Sequence, residues 1–290
     1  MDLSRLGSVL LTRWGAASDA GPVRPRNEDS WLASPPLFAV ADGMGGHEGG
    51  ARASSTALRV LEGNMSADAL GGRRADLMDL DAGIRASAQA VAVLADPEDP
   101  TAAPGSTLTG VLTLDTDEGP FWLAFNIGDS RTYIVGGESI RQATRDHSAV
   151  QEARDLAEAT GEEISFPPSN IVTRALGAGM AGMPEADYAL VPLFEGDHAV
   201  ICSDGIHGVV DEGQILRIVR SGGEPQRIAN ELVDAAIAFG TRDNATAVVV
   251  HASRAMRVGD DREAGSRLIR AVRPASTTTV RRSSNAEGEK

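Results

Sequence analysis

Four aspartates in the 290-residue chain share one setting, each at the end of an apolar, β-prone run and next to Gly, Ser or Asn. They are Asp42 in LFAVADGMGG, Asp129 in LAFNIGDSR, Asp204 in AVICSDGIHG and Asp243 in GTRDNATAVVV. A carboxylate at the end of a buried strand is held rigidly and aimed into a common space if the strands are neighbours. Glycine beside it lets the backbone turn tightly and bring a main-chain carbonyl close to a ligand. One such aspartate is an ordinary turn residue; four point to a cation site. Without a second cysteine or a His pair beside them, the carboxylates suit hard cations, Mn²⁺ or Mg²⁺, rather than structural zinc. Two such ions about 3.5–4 Å apart polarise a phosphoryl oxygen and generate hydroxide near neutral pH, which makes phosphate ester hydrolysis the indicated chemistry. Phosphate also calls for a planar cationic fork, and Arg24 and Arg26 in PVRPRNEDSW, just ahead of Glu28 and Asp29, both qualify on residue type.

The elements that must position these groups follow from periodicity. Strands are predicted near 8–17, 29–34, 37–42, 106–115, 120–128, 130–136, 198–203 and 245–252, and helices over 51–63, 78–95, 212–220 and 225–239. Sets of strands beside sets of helices, without strict βα alternation, predict an α+β domain of antiparallel sheets with helices outside. The stretch 148–170 starts helically and runs through Phe166, Pro167 and Pro168 as an exposed flap. One domain is expected over 1–252. Residues 253–290, with nine basic and five acidic side chains and few large apolar ones, read as a flexible basic tail whose Thr277–Thr279 run, Ser283 and Ser284 are candidate phosphorylation sites.

Composition narrows the partners. Forty-one acidic against 27 basic residues give a net charge of −14, which argues against nucleic acid or an anionic membrane as the main partner. No window approaches the roughly 18 apolar residues of a membrane span. One cysteine, Cys202, and no signal-peptide pattern predict a cytoplasmic protein. Cys202 sits inside a predicted buried strand and reads as a core residue, not a nucleophile. Ser130 and Ser203 have no paired base, which argues against a covalent serine mechanism.

Eight segments in order, VRPRNEDS (23–30), ADGMGGHEGG (41–50), GSTLTGVL (105–112), NIGDSRTYIV (126–135), RDHSAVQE (145–152), IVTRALG (171–177), ICSDGIHGVV (201–210) and RDNATAVVV (242–250), resemble the bacterial metal-dependent protein Ser/Thr phosphatases of type 2C. The resemblance implies a four-layer α-β-β-α sandwich. It also implies hydrolysis of phosphoserine and phosphothreonine on proteins with two catalytic Mn²⁺ or Mg²⁺ ions and a third, weaker one, in a monomer that opposes a Ser/Thr kinase. By residue, it implies that Asp42 bridges the two catalytic ions, Gly43 offers its backbone carbonyl, and Asp204 and Asp243 complete the shell. Asp129 would serve the third ion, Glu28 would bind through water, and Asp29 would orient from behind. Its spacing selects Arg24, four residues before Glu28, as the phosphate-gripping arginine.

Two positions depart from the pattern. Met44 stands where eukaryotic members carry a histidine proposed as general acid, so leaving-group protonation falls to metal-bound water, with His47 a competing candidate. The flap lacks the His-Pro pair of many relatives. His147 is expected to hold the start of the segment that follows it rather than a metal. Two competing functions stay open on the residues alone: a phosphoprotein-binding pseudophosphatase, which should have lost metal ligands, and a phosphatase of small phosphorylated metabolites.

Overall fold

The computed structural model describes residues 10–45, 48–96, 98, 103–116, 118–162, 164–168, 170–255 and 270–274. The chain runs through β1 (Leu11–Asp19), β2 (Ser30–Ser34), β3 (Leu37–Ala41), β4 (Gly43–Met44), α1 (Gly49–Asn64), α2 (Leu77–Ala92), β5 (Gly105–Ser106), β6 (Leu108–Thr116), β7 (Gly119–Ile127), β8 (Arg131–Gly136) and β9 (Ser139–Gln142). It continues through α3 (Ala149–Thr160), β10 (Leu176–Gly177), β11 (Asp187–Pro192), β12 (His198–Cys202), α4 (Asp204–His207), α5 (Glu212–Arg220), α6 (Pro225–Ala238), β13 (Ala245–Arg254) and β14 (Arg270–Val272). The two large sheets have the orders β1-β13-β12-β8-β9 and β14-β11-β7-β6-β3-β2, and short β10, β5 and β4 form a third.

The alternation of side chains along each strand builds three cores. From β7, Leu123, Phe125 and Ile127 face α1 and α2, whereas Trp122 and Ala124 face the other sheet. From β13, Ala245, Ala247 and Val249 face α5 and α6, whereas Val248, Val250 and Ala252 enter the layer between the sheets. Strands covered on both faces read as continuous apolar runs, which is why every residue of β7 is buried. Helix, sheet, sheet and helix thus stack as the predicted α-β-β-α sandwich. Asp76 closes a capping box on α2, and Asp211 does the same on α5. Ser87 Oγ donates to the Ala57 carbonyl and ties α2 to α1 at 2.9 Å.

Two expectations are revised. The strands β9 and β11 and the pieces β4, β5, β10 and β14 are additions to the predicted set. The domain boundary moves: β13 continues to Arg254, and Arg270–Val272, assigned to the tail from composition, pairs antiparallel with β11. Val272 packs on the core beneath α1 and α2. The candidate phosphorylation sites from Thr277 to Ser284 lie outside the described residues. In the flap, α3 forms as predicted and buries none of its residues.

Candidate metal and phosphate site

Strand pairing brings the four aspartates to one end of the sandwich. Asp42 follows β3, and Asp129 lies in the turn from β7 to β8. Because β12 and β13 are antiparallel, with Cys202 opposite Ala247, Asp204 just beyond β12 and Asp243 just before β13 emerge side by side. β1 ends at the same place, with Asp19 opposite Ala245, and feeds the loop that carries Arg24, Glu28 and Asp29.

Hydrogen bonds fix the main chain of Asp42 and Asp129 and the carboxylate of Asp29. The Thr107 amide donates to the Asp42 carbonyl at 2.9 Å, and the Asp42 amide donates to Thr107 Oγ1 at 2.9 Å. Thr107 Oγ1 in turn shares a 2.8 Å hydrogen bond with Ser130 Oγ. His207 Nε2 donates to the Asp129 carbonyl at 3.0 Å, and burial lowers the His207 pKa to about 4, so the ring is a neutral donor. Gly43 is packed so tightly that a Cβ there would meet the Gly50 carbonyl oxygen at 2.2 Å. A side chain is excluded beside Asp42, which leaves the Gly43 backbone close to the site. Ser203 Oγ donates to Asp29 Oδ2 at 2.7 Å, so Asp29 is anchored from beneath.

The carboxylates disturb one another electrostatically. Burial, then the charges of Asp29, Asp204, Asp129 and Asp243, hold the Asp42 carboxyl well above its usual range. Burial raises Asp29 and Asp129 to about 7, with Asp204 adding repulsion in both cases, and burial followed by the Asp243 charge raises Asp204. Glu28 Oε1, Asp29 Oδ1 and Asp204 Oδ1 are buried and accept no hydrogen bond. Crowded negative charge with unmatched acceptor oxygens is the donor set that a hard divalent cation fits. Among the described residues, the side chains as placed form no group of three or more His, Cys, Asp or Glu that could hold a metal ion.

The structure separates the two arginines. Arg24 NH2 lies among the carboxylates, 2.6 Å from Asp243 Oδ2, whereas Arg26 reaches away to Glu48 Oε1 at 2.5 Å. Half of the Arg24 side chain is exposed, so it can turn from Asp243 toward an incoming anion. Cys202 is fully buried among side chains beneath α5 and α6, and burial pushes its thiol up to about 12, which leaves it inert. His147 anchors the flap base: its amide donates to the Gly128 carbonyl, and its own carbonyl accepts from Thr173 N. His47 lies outside the described residues. Thr107, His207 and Asn244 lie inside the segments that carry the resemblance, but their roles are not readable from sequence, because residues that hold backbone leave no spacing signature.

The family profile described as Protein phosphatase 2C matches residues 23–245. The chain belongs to the protein phosphatase 2C family. It is 35% identical over 243 residues to the serine/threonine protein phosphatase PstP of Mycobacterium tuberculosis, a match that covers 83% of this chain but only 45% of that protein's length. It is 31% identical over 245 residues to the serine/threonine phosphatase stp of Listeria monocytogenes, covering 80% of this chain and 93% of the relative. The fold matches the crystal structure of the PstP catalytic domain in complex with two manganese ions at a TM-score of 0.70 and 33% identity, over 84% of this chain and 99% of that domain. Among the described residues, no helix of this type 2C chain is long and apolar enough to cross a membrane.

Proposed function

We propose that the chain is a Mn²⁺- or Mg²⁺-dependent protein phosphatase that hydrolyses phosphoserine and phosphothreonine. The observation that carries this reading is the convergence of Asp42, Asp129, Asp204 and Asp243 at one end of the sandwich, with unmatched carboxylate oxygens and Arg24 among them. Asp42, Asp204, Asp243 and the Gly43 carbonyl would hold two catalytic ions, Glu28 would do so through water, and Asp129 would hold a third. When bound, such ions supply Lewis-acid charge and lower the pKa of water to near neutrality. Arg24 grips the phosphate with its planar fork and sets its orientation. Asp29, fixed by Ser203, orients its neighbours from behind. Met44 has no proton to give, so the leaving oxygen takes its proton from water.

Phosphorylated proteins as substrates accord with the names of the relatives. We further read the chain as a cytoplasmic monomer opposing a Ser/Thr kinase; its lone buried cysteine suits a reducing compartment. The test is a phosphothreonine peptide assay with added Mn²⁺. Turnover that requires Mn²⁺ and is lost in Asp42→Ala and Asp204→Ala is expected; no turnover, or turnover that survives either substitution, overturns the reading.

A further inference from the structure

Asn244 is buried, 6% exposed, and sits directly after Asp243. Its single amide group grips the Arg24 loop at three points. Nδ2 donates to the Ala20 carbonyl at 2.9 Å and to the Arg26 carbonyl at 2.8 Å, and Oδ1 accepts from the Glu28 amide at 2.8 Å. These contacts bracket Arg24 on both sides, and an amide is the group that offers two donors and an acceptor on so short a stem. The Asn244 backbone continues the connection. Its amide donates to Asp243 Oδ1 at 2.9 Å, and its carbonyl lies so close to Gly205 that a Cβ there would approach it to 1.9 Å. One residue therefore ties the arginine loop to Asp243 and to the short helix that begins at Asp204.

We infer that Asn244 is a positioning residue that sets the Arg24 guanidinium over the carboxylate site and so fixes the affinity for the substrate phosphate. The loop also contains Pro22 and Pro25, which have no amide to donate, and its other side-chain tie, Asn27 Nδ2 to Ser18 Oγ at 2.7 Å, lies beyond Arg24. The inference rests on the phosphatase reading, and two measurements keep their failures apart. In the metal-free protein, amide exchange of the segment 20–28 should rise in Asn244→Ala while β12 and β13 stay protected. A uniform rise across the fold, or no change in 20–28, overturns the inference whether or not the protein is a phosphatase.

In the Mn²⁺-loaded protein, Asn244→Ala should raise KM for p-nitrophenyl phosphate by about 10- to 100-fold, with kcat changed far less. Asn244→Asp should do at least as much harm, because its second oxygen would face the Ala20 and Arg26 carbonyls. In an Arg24→Ala background the same substitution should change KM by less than about twofold, since the group it positions is gone. Independent, multiplying effects of the two substitutions would show that Asn244 acts without positioning Arg24 and overturn the inference.

Discussion

At the residue scale, the site separates groups that could act from groups that only resemble them. Arg24 and Arg26 are two residues apart and chemically identical, yet one guanidinium lies on Asp243 and the other on Glu48 at the start of α1. Losing a charge-assisted grip on phosphate costs about 10- to 100-fold in kcat/KM, so Arg24→Ala should show a loss of that size in a Mn²⁺-supported phosphomonoester assay. Arg26→Ala should stay within about threefold of wild type, because its exposed ion pair contributes little. Equal losses from the two substitutions would contradict the geometry. The four aspartates are legible in the sequence because strand end, carboxylate and small neighbour form a local pattern. The roles of Thr107, His207 and Asn244 are not, although the residues lie in segments of the resemblance, because their work is to hold backbone atoms that the fold brings from 65, 78 and 216 positions away along the chain.

At the element scale, two junctions decide whether the site is assembled. The first is β1 against α6: a Cβ on Gly15 would stand 2.2 Å from the Gln226 Cα, so only glycine lets the helix lie on the strand. Gly15→Ala should destabilise the protein by about 1–3 kcal/mol, read as a lower denaturant midpoint with an unchanged slope. The second is the flap base. Gly128 N donates to His147 Nδ1, and His147 Nε2 lies 3.2 Å from Asp187 Oδ2, with which it hydrogen-bonds. That hydrogen bond, assisted by Arg174, lowers the Asp187 pKa to about 2. A lowered carboxylate contributes stability above its ordinary pKa and loses it as pH falls toward 2, so the anchor is intact at neutral pH. Asp187→Asn should loosen the flap and speed tryptic cleavage after the exposed Arg154, with little change in melting temperature; an unchanged cleavage rate would contradict this role. Which elements can be read from sequence follows from burial. Strands covered on both faces announce themselves as apolar runs, whereas the edge strand β9 (Ser139–Gln142) carries a polar sequence and β14 is only three residues long, so that pairing alone makes them strands.

At the scale of the whole molecule, the net charge of −14 acquires a location, because several of its carboxylates are pressed together at one end of the sandwich rather than spread over the surface. The opposite electrostatic problem occurs within the first sheet, where His198 on β12 stands opposite His251 on β13 and the rings stack with centroids 4.4 Å apart. Burial, then the neighbouring His251, lowers the His198 pKa to about 4, and burial followed by the Arg13 charge lowers His251. In the unfolded chain both titrate near 6.5. The unfolded state therefore binds protons that the folded state refuses, and stability from this pair is complete above pH 6.5 and falls as pH drops from 6.5 toward 4. For His198 the full loss is about 3 kcal/mol. The crowded carboxylates have raised pKa values and act with the opposite sign over part of this range, so the pair is isolated by comparing the wild type with His198→Phe, which keeps a ring against His251 and cannot be protonated. The difference in unfolding free energy between the two proteins, from urea titrations at pH 7.5, 6, 5 and 4.5, should shift steadily in favour of the variant as pH falls. A difference that stays constant across the series would show that the stacked histidines carry no acid sensitivity.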